Sequence, residues 1–450
     1  MANFDSIEKK QPTDLLPTRD FNEIRKKIAS RLFEDPCYTV FDAMYETSIS
    51  TEDYVAEVAS QYPENALWVG GSLGRREMLP NSDIDLFVIY DDENYLQNDI
   101  HIEGVDKFEI GHISKAKLYD LLKGSFVDAN RFIDGRNIGA VPATDVEMMI
   151  SQVNTPDRQL ANNISEYFYY RYFDFTQKTT SMGPNLKYST GSSRDTIFFN
   201  MISRMGTGQF PATRDTEPEL AEVLRDTETR YGLRPPINAI NLMFTVKNAA
   251  ISLYDATGDV SKKYVSDNTL ESIYVFCKSK FSALGFADSR QFIEGYSAAR
   301  KEIELTVDTL FTKGLEKHPA GKQIEHILSL PKDDLFEACI KEIEDDESEH
   351  PQSLISFTAW MTMRNGTSSE NMEKIAQKMV CQPIEKVWGG LMAIVCSQDT
   401  DDNTLSNLSD WLFENEKGAY LLKLITRNPS ASQPTKTKTL DYYRAKEIIL

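Results

Sequence analysis

Between Leu67 and Tyr90 the chain reads LWVGGSLGRREMLPNSDIDLFVIY, and three of its features belong together chemically. Gly70, Gly71 and Ser72 form a small turn directly after a short apolar run, and ten residues separate Ser72 from Asp83. Asp83 and Asp85 then open a second apolar run. Side chains along a strand alternate between faces, so these two carboxylates point the same way while Ile84 points into a core. Like charges held this close repel unless a cation lies between them, and an oxygen-only pair suits Mg²⁺. The Gly-Gly-Ser turn adds backbone N–H groups and a hydroxyl near that cation, which is what a triphosphate requires. A solvated surface turn would leave unexplained why the pair heads so apolar a strand. Ser72, Asp83 and Asp85 therefore read as one metal and phosphate site.

The elements that must position these groups are legible around them. Ala66–Val69 and Ile84–Tyr90 read as buried strands, and residues 107–113 as a third after the polar stretch 91–104. Upstream, Phe21, Ile24, Ile28 and Leu32 recur at helical spacing before a break at Pro36. Helical patterning dominates from Thr155 to about Phe311, interrupted near residues 182–193 and at Pro235-Pro236, and resumes from His318 to Ile425. The acidic run Glu342 to Glu349 reads as a solvated loop or helix end. These readings give an α+β chain: a helical lead-in (1–60), a small mixed-sheet domain flanked by helices (61–150), an all-α domain (151–312), a further helical region (313–427) and a flexible Ser/Thr/Pro/Lys-rich tail (428–450).

Composition narrows the partners. The 450 residues carry 49 Lys and Arg against 69 Asp and Glu, a formal charge of −20, and a surface of that sign repels a phosphate backbone. General nucleic-acid binding is not expected. The opening MANFDSIEKK lacks the pattern of a secretory signal and no apolar run approaches membrane length, so the reading is a cytoplasmic protein with no membrane partner. The five cysteines form no CxxC pair and read as core thiols.

The Gly-Ser pair, a gap of this length and the Asp-Ile-Asp triplet resemble the signature of the DNA polymerase beta-like nucleotidyltransferase superfamily. Residues 74–86, GRREMLPNSDIDL, are similar to the protein-modifying branch: the PII-protein uridylyltransferases, the glutamine synthetase adenylyltransferases and nucleotidyltransferases encoded with CBS domains. Phe108-Glu109-Ile110-Gly111-His112, Ile133-Asp134-Gly135-Arg136 and Pro184-Asn185-Leu186-Lys187, followed by Gly191 and Arg194-Asp195, resemble further family elements in the family's order. The later stretches Val246–Asp255 and Arg290–Arg300 match more weakly, and the likeness runs from about residue 50 to 310.

The resemblance implies a catalytic set of Ser72, Asp83, Asp85 and Glu109. Asp83, Asp85 and Glu109 would bind two Mg²⁺ ions, with Mn²⁺ a possible substitute; strand alternation also puts Glu109 beside the Asp pair. Gly70, Gly71, Ser72, Arg75, Lys187 and Arg194 would contact the nucleotide. Two alternatives stand beside these roles: Arg75 and Arg76 left in solvent, and Arg194-Asp195 as an ion pair that fixes its loop. His112 reads as a structural hydrogen-bonding residue. The implied reaction moves a nucleoside monophosphate from ATP or UTP to a protein hydroxyl. An RNA end, a small molecule or a second nucleotide is the alternative acceptor, and a lapsed nucleotide-binding module the alternative class. The chain departs from the family at Ser192-Ser193, where a glycine pair is usual, and at Lys247, where arginine is. No histidine precedes an aspartate, so the phosphohydrolase motif of the uridylyltransferases is absent. Residues 315–450 resemble nothing named and read as a docking or regulatory region.

Overall fold

The computed structural model describes residues 18–59, 65–91, 108–123, 129, 132–139, 141–173, 184–187, 189–203, 205, 218–255 and 264–449. Helices α1 (Thr18–Glu34) and α2 (Val40–Ala59) flank the Pro36 turn. Phe21, Ile28 and Leu32 lie buried along one stripe of α1. The turn itself is held by a buried lysine, Lys280, whose Nζ donates to the carbonyls of Asp35, Pro36 and Tyr38 at 2.8, 3.2 and 2.5 Å.

Strands β1 (Ala66–Val69), β2 (Ile84–Tyr90), β3 (Phe108–Ser114) and β4 (Arg136–Asn137) make a mixed sheet in the order β3-β2-β1-β4. β1 is antiparallel to β2 and β4, and β2 is parallel to β3. Lys107, the expected start of β3, lies outside the described residues, and β4 is too short to leave a sequence pattern. A single helical turn, α3 (Gly71–Gly74), follows β1. One face of the sheet, Leu67, Val69, Ile84, Leu86 and Val88, packs against Phe21, Tyr54 and Val55 of α1 and α2. On the other face Ala66, Trp68 and Ile89 meet α4 (Lys115–Lys123) and α5 (Thr144–Val153) through Leu118, Leu122, Val146 and Ile150.

The rest of the described chain is helical. α6 (Pro156–Phe168) runs into a π-helical turn, Tyr169–Phe173, and is followed by α7 (Ser193–Ser203), α8 (Glu219–Tyr231), α9 (Ile237–Asp255), α10 (Asp267–Phe276), α11 (Lys278–Ala283) and α12 (Ser289–Lys317). Then come α13 (Gly321–Ser329), α14 (Leu335–Glu344), α15 (Pro351–Arg364), α16 (Ser369–Met379), α17 (Ile384–Cys396), α18 (Asp402–Glu414), α19 (Ala419–Arg427) and α20 (Gln433–Ile449). Among the described residues, no helix is long and apolar enough to cross a membrane.

One apolar core extends from Ile28 to Ala431, and α12 passes unbroken through residues 312 and 313, where the sequence reading puts a boundary. Trp360 on α15 stacks on Phe168 of α6 at 6.1 Å between ring centroids, and its Nε1 donates to Ser165 Oγ at 3.3 Å. A Cβ at Gly389 would overlap Ser356 Oγ and lie 2.5 Å from Ser165 Oγ, so glycine there lets α17 close on α6 and α15.

Two expectations are corrected. The tail after residue 428 is not flexible, because α20 is a packed helix: Ser432 Oγ caps it by accepting the Thr435 N–H at 3.3 Å, Thr435 and Thr439 are buried, and Tyr442 stacks on Phe413 at 4.1 Å. Its polar composition concealed a stripe of Thr435, Thr439 and Tyr442 at helical spacing. The cysteines are also not all core thiols. Cys277, Cys339 and Cys396 are buried, whereas Cys37 and Cys381 lie in turns and are exposed.

Because Trp360 joins α15 to α6 in the shared core, Trp360→Ala is expected to lower the unfolding free energy by about 3–5 kcal/mol in a urea titration. An unchanged midpoint would show that the C-terminal helices do not share the core's stability.

Candidate active site

β1 ends at Val69, and the next two residues, Gly70 and Gly71, make a turn in which the second must be glycine. The Gly70 N–H donates to the Asp85 carbonyl at 3.0 Å, stitching the turn to β2. Gly71 has φ +57°, and a Cβ there would lie 2.5 Å from Asp85 Oδ2. Glycine is needed on both counts, conformation and space. The Asp85 carboxylate therefore rests against the turn that carries Ser72. Asp83 is exposed, Asp85 and Ser72 are half-buried, and the intervening Ile84 is fully buried, as alternation requires. In the β2–β3 register Glu109 pairs with Asp85; its side chain lies outside the described residues.

The residues after the turn are mostly spent on holding it. Arg75 is buried, its Nε 3.0 Å from Glu77 Oε2 and its Nη1 3.2 Å from Asp134 Oδ2. Burial alone would lower its pKa, but Glu77 and Asp134 outweigh that and raise it. Expected against the triphosphate, this guanidinium instead braces the turn from the buried side. Arg76 has φ +52°, a conformation costly for a side-chain-bearing residue, and is held by two hydrogen bonds to Glu52 at 3.0 and 3.2 Å. Arg136 binds the same carboxylate and donates to the Gly74 carbonyl at 3.3 Å.

A second group of cations comes from the helical side. The Lys187 N–H donates to Asn185 Oδ1 at 2.8 Å, and the Lys187 carbonyl accepts from the Arg194 N–H at 2.9 Å and from Ser192 Oγ at 2.7 Å. This folded loop sets Lys187 beside Arg194 at the start of α7. Ser192 and Ser193 donate their hydroxyls into the loop. Arg194 does not pair with Asp195. Its Nη2 donates to Tyr170 Oη at 2.6 Å and its guanidinium carbon lies 4.4 Å from that ring's centroid. Asp195 is instead buried against Arg171 at 2.8 Å and the Gly191 N–H at 2.5 Å; burial pushes its carboxyl up to about 6 and those two partners pull it back.

Two residues outside the expected set act on Asp83. Burial pulls the Lys247 ammonium on α9 down to about 8; Lys187 and Arg194 add repulsion, and Asp83 opposes the fall. Lys247 thus lies within electrostatic reach of Lys187, Arg194 and Asp83. α9 is tied to the loop before β2 by Asn81 Nδ2, which donates to Ser252 Oγ at 3.2 Å. On α1, Arg25 Nη2 donates to the Ser82 carbonyl at 2.5 Å, next to Asp83. Burial pulls Arg25 down to about 10 against the attraction of Asp83. A charge on the apolar stripe of Phe21, Ile28 and Leu32 was the signal for Arg25. Nothing local in the sequence joins Lys247 to Asp83.

The pair fits a divalent cation. Both donors are carboxylates on one strand face, and the bare Gly71 leaves open the space beside Asp85 Oδ2 that a Cβ would fill. Among the described residues, no three His, Cys, Asp or Glu side chains form a ready metal cluster.

Residues 52–129 match the family model of the nucleotidyltransferase domain, a span that begins on α2 and includes the turn and both aspartates. No curated protein matches the chain. The chain thus carries a nucleotidyltransferase domain of the polymerase beta-like superfamily and is an enzyme of the nucleotidyltransferase class.

Proposed function

We propose that the enzyme transfers a nucleoside monophosphate from a nucleoside triphosphate to a hydroxyl on a protein. The observation that carries this reading is the Asp83 and Asp85 pair set against the Gly-Gly-Ser turn, with Lys247 within electrostatic reach of Asp83, Lys187 and Arg194. An acidic pair alone would bind a cation, and cations alone would bind an anion. Together they suit a metal-chelated polyphosphate.

In the proposed reaction the acceptor oxygen forms a bond to the α phosphorus while the bond to pyrophosphate breaks. Asp83 and Asp85, with Glu109 from β3, would hold two Mg²⁺ ions, which supply charge neutralisation on the leaving group and a lowered acceptor pKa. Ser72 and the turn glycines bind the outer phosphates. Lys187, Arg194 and Lys247 offset charge on the departing pyrophosphate; Arg194 and Lys247 sit on packed helices and Lys187 on a hydrogen-bonded loop, so they are preorganised rather than recruited. The net charge of −20 favours a protein over a polyanionic acceptor.

Purified enzyme incubated with cell lysate and each α-labelled nucleoside triphosphate is expected to label a protein band only when Mg²⁺ is present. Label in RNA or in a small molecule would replace the acceptor assignment. Asp83→Asn and Asp85→Asn should each cut labelling by at least about a hundredfold, since even removing a residue behind a metal ligand costs that order. Their thermal stability should stay within about 0.5 kcal/mol of wild type, because neither side chain fills the core. Labelling that survived either change would remove the metal role. Glu109→Gln should also cost activity, and an unchanged rate would remove Glu109 from the catalytic set.

Lys247 gives the site a pH dependence. Its ammonium is charged below about 8 and neutral above it, so metal-free triphosphate affinity should fall by about tenfold as pH rises through that value. Lys247→Met should bind weakly at every pH. A wild-type affinity that is flat across this range would exclude Lys247 from the site.

A further inference from the structure

The two groups of site residues are carried by different parts of the chain, the aspartates by the sheet and Lys187 and Arg194 by the loop entering α7. One buried polar contact spans them. Asn200 on α7 is 1% exposed, and its Nδ2 donates to Glu77 Oε1 at 2.5 Å. The other oxygen of Glu77 takes Arg75, which reaches Asp134. The Glu77 N–H donates to the Ser72 carbonyl at 2.7 Å, so this carboxylate sits one bond from the phosphate turn.

We propose that the Asn200–Glu77 hydrogen bond is a latch that sets the distance between the carboxylate pair and the cations, with Asn200 a positioning residue for nucleotide binding; this rests on the nucleotide reading above. Asn200 follows Arg194 by six residues on one helix, about 9 Å along its axis, and a helix of that length moves as a rod. Phe198, Phe199, Met201 and Ile202 bury α7 in the bundle, but apolar packing has little directional preference. The hydrogen bond to a charged, buried acceptor is directional and strong. It therefore sets where the helix start, and with it Arg194 and Lys187, stands relative to Ser72 and Asp85. A neighbouring buried amide offers a comparison: Asn163 Nδ2 donates to the Met201 carbonyl at 2.8 Å, tying α7 to α6 without touching the turn.

Calorimetric titration of the full chain with Ca²⁺ and each of the common nucleoside triphosphates tests this without knowledge of the acceptor. Asn200→Leu should weaken binding by about tenfold or more while the protein keeps a cooperative thermal transition. Asn200→Ser, too short to reach Glu77, should show the same loss and serves if the leucine variant fails to fold. Asn163→Leu should lower the melting temperature yet leave affinity within about twofold. Wild-type affinity in the Asn200 variants, or an equal loss in Asn163→Leu, overturns the latch. A wild-type protein that binds none of the nucleotides overturns the nucleotide reading itself, and the latch with it.

Discussion

The site depends on one junction, the Gly70 N–H to Asp85 carbonyl hydrogen bond where β1 ends and β2 runs back beside it. That bond fixes the Gly-Gly-Ser turn against the strand that carries the aspartates. Gly71 then has no choice of residue, since its backbone is left-handed and the Asp85 carboxylate occupies the place of a side chain. The ten residues between Ser72 and Asp83 return the chain to the sheet. Their charged members, Arg75, Arg76 and Glu77, spend their side chains on bracing the return.

The helices make sense as supports for that junction. α1 contributes to both the sheet core through Phe21 and the bundle core through Ile28 and Leu32, so Arg25 approaches Ser82 from an anchored helix. α9 is bound to the loop before β2 through Asn81 and to α2 through Asn241, whose Oδ1 accepts the Val40 N–H at 3.0 Å. Lys247 is held between those two ties. Burying an ammonium near two other cations is unfavourable, so the packing that holds Lys247 works against stability, a cost that the proposed anion site would explain. The helices after residue 313 extend the same core, so they support the catalytic half whatever partner they meet.

Legibility in the sequence followed the range of the physics. β1, the glycine turn and β2 are written in adjacent residues, and the apolar runs with their Gly and Asp punctuation were enough to place them. The α1 stripe was readable for the same reason. Arg75 was misplaced because a loop arginine looks solvated until Asp134, 59 residues away, is brought beside it. Lys247 and Asn200 left no local trace, since their partners are 164 and 123 residues distant in the chain. α20 was hidden by composition: threonines that read as a loose tail become helical when a bundle buries one side of them, a case of tertiary context overriding propensity.

On this reading the aspartates and the three cations form a single nucleotide site. A crystal structure of the protein with Mg²⁺ and a nucleoside triphosphate analogue that cannot release pyrophosphate tests it most directly. Metal is expected on Asp83 and Asp85, with the triphosphate running past Ser72 toward Lys187, Arg194 and Lys247. A nucleotide bound elsewhere, or bound at the aspartates with its phosphates turned away from those three cations, would contradict it.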